Sequence, residues 1–142
     1  MKKIYFFLFL LLCFKANAQW SYSNFPYGGN VSGIVRNPLL NNQLFVAVSG
    51  KVFTSTDGGN NWTTAYSGIQ GDVNCLVAID SMVMAASQYG LFFTNNKGVS
   101  WSRNTYFADS VEITAMIAKG KDLYIGTINH GIYYSGNKGV DW

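Results

Sequence analysis

The chain has 142 residues, enough for one modest domain, and contains 10 basic residues, 7 acidic residues and one histidine. Three of the basic residues precede position 19, so residues 19–142 contain 7 basic and 7 acidic residues and carry about no net charge. This balance excludes the basic surface on which phosphate-dominated nucleic-acid binding depends.

The N-terminus has the three parts of a secretory signal peptide. Two lysines are followed by an apolar run over 4–14, and Ala16-Asn17-Ala18 has the small-x-small pattern of a cleavage site. The run is too short to cross a bilayer as a helix. We therefore expect residues 1–18 to be a cleaved signal. The rest of the chain is then exported to the periplasm, the cell surface or the medium, with no membrane span.

The four tryptophans recur with one period along the chain. They lie at positions 20, 62, 101 and 142, so consecutive ones are separated by nearly equal intervals. Within each period, short β-branched and aromatic runs alternate with turn residues, as in consecutive antiparallel strands. No window keeps apolar residues at helical spacing over three turns. Four strands in a period of about 40 residues are typical of a blade of a β-propeller, so the predicted fold class is all-β.

The strand-like runs form three units in chain order. The first unit predicts strands at 31–36, 43–48, 52–56 and 61–66. The second unit predicts strands at 73–79, 82–87, 91–95 and 100–105. The third unit predicts strands at 112–118, 122–127 and 131–135. Within a domain over 19–142, the predicted blades span about 31–66, 73–105 and 112–142.

Each of the last three tryptophans closes a segment that resembles the Asp-box, or BNR, repeat, Ser/Thr-x-Asp-x-Gly-x-x-Trp. The matching positions are Ser55, Asp57, Gly59 and Trp62, then Thr94, Asn96, Gly98 and Trp101, then Ser135, Asn137, Gly139 and Trp142. The resemblance implies the propeller fold found in sialidases, xyloglucanase-type glycosidases, sortilin-like receptors and photosystem II assembly factors. It implies no single function, because the repeat occurs on propellers of unrelated activity.

The box positions are expected to be structural. An Asp or Asn oxygen accepts backbone N–H bonds in a tight turn, glycine tolerates positive φ, and the tryptophan ring packs over the hairpin. Asn96 and Asn137 replace the aspartate in two copies and keep the acceptor without its charge. A turn survives this change, whereas a calcium or catalytic site would suffer from the loss of charge.

The two ends of the sequence complement each other. Trp20 precedes Val31 by the same interval by which Trp62 precedes Val73, so segment 20–25 has the phase of an outermost strand that closes a ring. The third unit stops where its fourth strand should begin. Because three blades are fewer than the four to eight that usually close, we expect a fragment of a longer propeller. Assembly of several short chains into one ring is the alternative.

Loops on one end of the predicted strands form the candidate ligand-binding face. They are the turns between the second and third strands and the linkers between blades, since loops on rigid scaffolds carry function. The candidate residues are Asp72, Gln88, Tyr89, Asp109, Glu112, Asn129 and His130.

Residues for catalysis are few. His130 is the only histidine and has no histidine partner for a metal site, and no serine is marked as the nucleophile of a triad. Cys75 is the only cysteine after residue 18, which excludes an internal disulfide, and its apolar neighbours predict a packed thiol. Cys13 would support an alternative lipoprotein signal, which the bulky Leu12 disfavours.

Glycoside hydrolysis requires two carboxyl groups across the scissile bond. Asp72, Asp109 and Glu112 lie near the candidate face, but their spacing gives no support to a pair. The sialidase resemblance implies three arginines for the substrate carboxylate, and only Arg36 and Arg103 follow residue 18.

The sequence therefore predicts an exported interaction propeller that presents its loop-lined face to a protein or a glycan. We expect no catalytic residue, no metal, no cofactor and no nucleic-acid partner, and the sequence leaves the oligomeric state open. A fragment of a secreted glycoside hydrolase is one alternative. A sortilin-like peptide-binding receptor or an assembly factor is the other.

Overall fold

The computed structural model describes residues 24–25, 28–107 and 111–142. The signal-peptide prediction over 1–18 therefore lies outside the described residues, as does Asp109. Most of the predicted ring-closing strand lies outside them as well. Its described part, Asn24 and Phe25, has no strand conformation.

The described part of the chain contains eleven β-strands and no helix, which confirms the all-β prediction. The first sheet consists of β1 (Val31–Arg36), β2 (Leu44–Val48), β3 (Lys51–Ser55) and β4 (Thr63–Thr64). The second sheet consists of β5 (Val73–Ile79), β6 (Met82–Ser87), β7 (Gly90–Thr94) and β8 (Ser102–Arg103). The third sheet consists of β9 (Ile113–Lys119), β10 (Asp122–Thr127) and β11 (Ile132–Ser135). A helix that could cross a membrane is accordingly absent from these residues.

Each sheet is an antiparallel meander in which neighbours in sequence are neighbours in space. The β2–β3 hairpin turns on Ser49 and Gly50, both with positive φ, as a two-residue turn between twisted strands requires. The fourth strands are shorter than predicted. Beyond them the chain stays bonded to the third strand for one more residue, through Ala65 N to Val52 O and Asn104 N to Leu91 O, both at 2.8 Å, and then turns.

The pairing registers align the three sheets residue by residue. The aligned pairs are Ser55–Leu44, Thr94–Val83 and Ser135–Leu123. Phe45, Met84 and Tyr124 therefore occupy one equivalent position. We call the face of a sheet toward the preceding sheet its N-side face and the face toward the following sheet its C-side face.

Two hydrophobic cores lie between consecutive sheets. At the first junction, the C-side face of the first sheet packs on the N-side face of the second, with Phe45, Val52 and Phe92 among the buried residues. At the second junction, the second sheet packs in the same way on the third, with Leu91 and Leu123 at the centre. The alternation of side chains along each strand thus supplies one apolar face to each neighbouring sheet.

The first strands of the three sheets lie side by side. Ser32 and Asn74 occupy bulges in β1 and β5, and each reaches the next first strand. The Ser32 hydroxyl donates to Val73 O at 2.7 Å, and the Asn74 amide donates to Ile113 O at 3.0 Å. Gly33 permits this close approach, because a Cβ there would lie 3.1 Å from Leu76 N.

Candidate ligand-binding face

Antiparallel meanders place their connections at two opposite ends. The segments that follow the third strands, 55–62, 94–101 and 135–142, share one end with the β1–β2 turn, since Gly58 N bonds to Asn42 O at 2.9 Å. We call these three segments the Trp-ended turns. The turns between second and third strands and the linkers between sheets lie at the other end, which we call the linker face.

The first Trp-ended turn is organised by the Asp57 carboxylate. It accepts hydrogen bonds from Asn61 N at 2.9 Å, from the Asn61 amide at 2.7 Å and from the Ser55 hydroxyl at 2.8 Å. These bonds, the ones from Asn61 foremost, lower the pKa of Asp57 from 3.8 to about 2. The Ser55 hydroxyl in turn accepts from Gly59 N at 2.8 Å. Asp57 therefore acts as a fixed acceptor inside a turn.

The second and third turns repeat this pattern with asparagine. Asn96 Oδ1 accepts from Ser100 N at 3.0 Å, and Asn137 Oδ1 accepts from Asp141 N at 2.9 Å. The amide groups, which the aspartate lacks, donate to Ser100 Oγ and to an Asp141 carboxylate oxygen, both at 2.8 Å. In all three turns, the Asp or Asn oxygen thus accepts its hydrogen bonds from residues of the same turn.

The tryptophan indoles do not all bind within their own turns. Trp62 and Trp142 donate to the carbonyl of the turn glycine, at 2.9 and 3.0 Å. Trp101 instead donates across the first junction to Ala65 O at 2.6 Å. The prediction that each ring packs over its own hairpin therefore needs correction for Trp101, whose ring is buried between two sheets.

The linker between the first two sheets brings three predicted residues together. Asp72 lies against Gly50 of the β2–β3 turn, and Gly71 lies against Tyr89 and Gln88 of the β6–β7 turn. The Ser87 hydroxyl donates to the backbone carbonyl of linker residue 70 at 2.8 Å, and the amide of residue 73 donates to the carbonyl of residue 50 at 3.0 Å. Asp72, Gln88 and Tyr89 thus lie on adjoining loops of the linker face, with the Asp72 carboxylate against Gly50 and the Gln88 and Tyr89 side chains against Gly71.

Glu112, Asn129 and His130 form a separate group one sheet further along. The backbone carbonyl of Glu112 accepts from Ile128 N at 3.1 Å, and Thr127 Oγ1 accepts from His130 N at 3.1 Å. The three side chains are exposed or partly exposed. The prediction for Asp109 stays a prediction.

Two residues of the linker face were missed by the sequence interpretation. The Lys51 ammonium lies 5.5 Å from the ring centroid of Tyr66, which is 37% exposed. Both residues border a groove of about 320 Å³ on the first sheet. From the sequence, Tyr66 is one of many aromatic residues, and such residues are expected to pack between blades. Tyr66 lies just after the fourth strand, at the start of a linker, and this position is the sequence feature that indicates an exposed ring.

Several titratable groups of the described residues are engaged in structural contacts. Burial raises the pKa of the Cys75 thiol to about 11, so Cys75 stays protonated and is a poor nucleophile. Asp80 pairs with Lys138, and Asp122 accepts a bond from the Tyr134 hydroxyl at 3.1 Å. No group of three potential metal ligands occurs among the residues that the structure describes.

Comparison with solved structures identifies the architecture. An ancestral GH74 enzyme superposes with a TM-score of 0.69 at 18% identity, over 81% of this chain and 18% of that chain. YCF48 from Cyanidioschyzon merolae superposes with a TM-score of 0.69 at 19% identity, over 88% of this chain and 39% of YCF48. A structure of YCF48 bound to D1 peptide gives a TM-score of 0.53 at 16% identity, over 87% of this chain and 43% of that chain.

The chain has a β-propeller fold. Its three sheets are consecutive propeller blades, which confirms the predicted resemblance to glycosidase and assembly-factor propellers. The chain spans less than half the length of each of these propellers. No protein-family model and no curated protein matches the sequence. At such low identities, the similarity establishes the fold and leaves activity to be argued from the residues.

Proposed function

We propose that this chain is part of an exported propeller that binds a polypeptide segment on its linker face and performs no chemistry there. The observation that carries the proposal is the cluster of Asp72, Gln88 and Tyr89, which the linker and the β6–β7 turn hold together. Export is inferred from the signal-like sequence of residues 1–18.

The cluster has the composition of a recognition surface. Tyr89 is 43% exposed and offers a large ring with two rotatable bonds, so little entropy is lost when it is covered. Gln88 and Asp72 supply an amide and a carboxylate that can pair with backbone N–H groups. The Ser87 bond at 2.8 Å to the carbonyl of linker residue 70 fixes the loops before any partner arrives, which lowers the cost of binding.

The aromatic ring and the hydrogen-bonding groups of the cluster can contact a polypeptide that lies along the exposed linker. The structure of YCF48 bound to D1 peptide supports a polypeptide partner for a propeller of this kind.

Absence of catalysis is proposed from the roles of the acidic residues and the thiol. Asp57, Asp80, Asp122 and Asp141 are each engaged in a turn or in a side-chain pair. Asp72 and Glu112 belong to linkers of different blades.

A glycoside hydrolase is the second candidate, supported by the superposition on an ancestral GH74 enzyme. This function requires two carboxyl groups flanking one glycosidic bond, about 5 to 9.5 Å apart depending on mechanism. If the chain is part of a glycoside hydrolase, Asp72 or Glu112 would be one of these two carboxyl groups and a second carboxylate would be the other.

The proposal is tested by probing the chain, without residues 1–18, against a peptide array and a glycan array. We expect peptide ligands, and we expect Tyr89→Ala to weaken the tightest of them by about tenfold, or about 1.4 kcal/mol. Tyr89→Phe should retain most of the affinity if the ring is the main contact. Fluorescence anisotropy with the labelled peptide measures each constant.

The control is Val99→Ser in the second Trp-ended turn, where the side chain is 76% exposed at the opposite end of the blades. Its affinity should equal that of the unmodified chain. If Val99→Ser abolished binding and Tyr89→Ala retained it, the partner would bind at the end of the Trp-ended turns. That result would overturn the proposal. Glycan binding with hydrolysis that disappears in Asp72→Asn would favour the hydrolase.

A further inference from the structure

The loop between the first two strands is longer in the first blade than in the other two. β1 and β2 are joined by residues 37–43, whereas β5–β6 and β9–β10 are joined by two residues each. The strand registers align Asn37 and Gln43 with the residues that directly flank those two-residue turns. Segment 38–42, which we call the inserted loop, therefore replaces a simple turn. Because the other blades are built without it, the inserted loop indicates a role beyond the repeat itself.

The inserted loop is held at its base by two buried amide side chains. Asn37 and Gln43 are 1% and 2% exposed, and the Asn37 amide donates to Gln43 Oε1 at 2.8 Å. Asn37 Oδ1 accepts from Leu39 N at 3.0 Å, and Leu40 O accepts from Gln43 N at 2.8 Å. Gln43 Nε2 donates to Lys97 O of the second Trp-ended turn at 3.4 Å. The loop is therefore fixed before a partner arrives, which lowers the cost of binding.

The inserted loop exposes apolar side chains that the fold does not use. Leu39 is 65% exposed and Leu40 is 39% exposed, and neither belongs to the hydrophobic cores between the blades. Both leucines border a groove of about 340 Å³, which Thr56 and Lys97 of the first and second Trp-ended turns also line. This volume is close to the lower limit of about 300 Å³ for ligand pockets, so the groove has the size for a few side chains of a partner.

The charge at this groove is positive. Lys97 is exposed and is the charged residue among the described residues that line the groove. Its ammonium forms no ion pair with another described residue, in contrast to Lys138 at the equivalent position of the third Trp-ended turn, which pairs with Asp80. Asp57 follows Thr56 in sequence, but its carboxylate accepts hydrogen bonds inside its own turn. The Lys97 ammonium is therefore available to an incoming carboxylate.

We propose that the inserted loop and Lys97 form a second binding site, which takes a short segment of another protein with an acidic residue next to a bulky apolar side chain. The apolar side chain enters the groove beside Leu39 and Leu40, and the carboxylate pairs with the Lys97 ammonium. Burial of the apolar side chain supplies the affinity, and the charge pair sets the choice of partner. Because the site lies at the end of the blades opposite the linker face, its partner leaves the linker face open.

Two matched sets of short acetylated peptides test this site. In one set a central Leu, Ile or Phe is flanked by Glu, and in the other set it is flanked by Lys. We expect the tightest Glu-flanked peptide to bind at least about tenfold more tightly than its Lys-flanked counterpart in fluorescence anisotropy at low salt. Leu39→Ser should weaken this peptide by at least about tenfold, because its anchor loses an apolar contact.

A charge reversal separates recognition from folding. Lys97→Glu should reverse the preference and favour the Lys-flanked set. Lys138→Glu, the matched change in the third Trp-ended turn, should leave the preference as it is in the unmodified chain. If Lys97→Glu does not fold, Lys97→Gln should bind the two sets about equally. Because Leu39 is exposed, Leu39→Ser should change the melting temperature by less than about 2 °C.

Equal binding of the two sets by the unmodified chain would overturn the proposal, as would equal effects of Lys97→Glu and Lys138→Glu. Self-association that Leu39→Ser abolishes, measured by analytical ultracentrifugation, would assign the inserted loop to a second copy and would also overturn it. Tyr89→Ala should bind the Glu-flanked set as the unmodified chain does. Loss of that binding would assign these peptides to the linker face, so this proposal and the proposed function fail in different ways.

Discussion

The two junctions between blades use equivalent positions in different ways. At the first junction, the Phe45 ring lies edge-on to Trp101, with centroids 6.3 Å apart, and Trp101 is bonded to Ala65 O. At the second junction, Met84 takes the place of Phe45 and Trp142 bonds within its own turn. A groove of about 540 Å³ opens there, bordered by Met84 and other residues of the second and third blades.

Polar contacts also cross the rim of the second junction. Asn104 replaces Ala65 and donates to Gly139 O at 3.2 Å, and Lys138 pairs with Asp80 across the two blades. Ring packing and hydrogen bonds contribute to both junctions, since Phe107 lies edge-on to Trp142 with centroids 5.1 Å apart at the second, and Trp101 N donates to Ser67 O at 2.9 Å at the first. A propeller repeat thus tolerates different residues at equivalent junction positions, provided that the strands keep their register.

The largest expected difference concerns the two equivalent core residues. Phe45→Ala removes a fully buried ring and should destabilise the chain by about 3–5 kcal/mol. Met84→Ala should cost about 2–3 kcal/mol, because Met84 already borders a groove. Urea unfolding monitored by tryptophan fluorescence measures both. A larger loss for Met84→Ala would show that the second junction is the more tightly packed one.

The glycines of the Trp-ended turns provide a second comparison. Gly98 and Gly139 both have φ of 85°, so an alanine incurs the same backbone strain at either position. A Cβ at 98 would lie 2.8 Å from the Phe45 ring, whereas one at 139 would lie 3.0 Å from the flexible end of Met84. We expect Gly98→Ala to cost about 1 kcal/mol more than Gly139→Ala in the same unfolding assay. Equal costs would refute the difference in packing.

The Asp57 turn should show a pH dependence that its asparagine counterparts lack. Because its pKa is lowered from 3.8 to about 2 in the folded chain, its contribution to stability is complete above pH 4. That contribution is lost as the pH falls from about 4 to about 2. Asp57→Asn should flatten the stability curve in this interval, as measured by thermal unfolding from pH 2 to 6. An unchanged slope in Asp57→Asn would show that the carboxylate is not stabilised by the turn.

The smallest expected effect belongs to the pair at the rim of the second junction. Lys138 and Asp80 are 50% and 53% exposed, so Lys138→Ala should cost less than about 1 kcal/mol. The difference from the unmodified chain should shrink further in concentrated salt, because exposed charges are screened. Lys97→Ala, at the equivalent position of the second blade, serves as the control. A loss that grows with salt would contradict a screened ion pair.

The sequence predicted the strands well because their signals are local. Runs such as 73–79 and 82–87 combine β-branched residues with flanking turn residues, and the structure places β5 and β6 there. The turn role of Asn96 and Asn137 also follows from local chemistry, since an amide oxygen replaces a carboxylate oxygen as acceptor. The regular spacing of the tryptophans along the chain was the sequence feature that predicted the propeller fold.

The contacts between blades could not be predicted from local sequence signals in this way. Trp101 reaches Ala65 across 36 positions in sequence, and nothing near Trp101 indicates that its indole leaves its own turn. The grouping of Asp72 with Tyr89 followed from topology alone, whereas the pairing of Lys51 with Tyr66 required the geometry of the linker. Residues far apart in sequence become neighbours through the stacking of sheets, which strand patterns do not encode.

The most direct test of the proposed linker-face site is hydrogen–deuterium exchange of the chain with and without its tightest peptide from the array. We expect protection of backbone amides in 66–72 and 88–89, with unchanged exchange in the three Trp-ended turns. Protection confined to 55–62, 94–101 or 135–142 would refute a site on the linker face and would place binding at the opposite end of the blades.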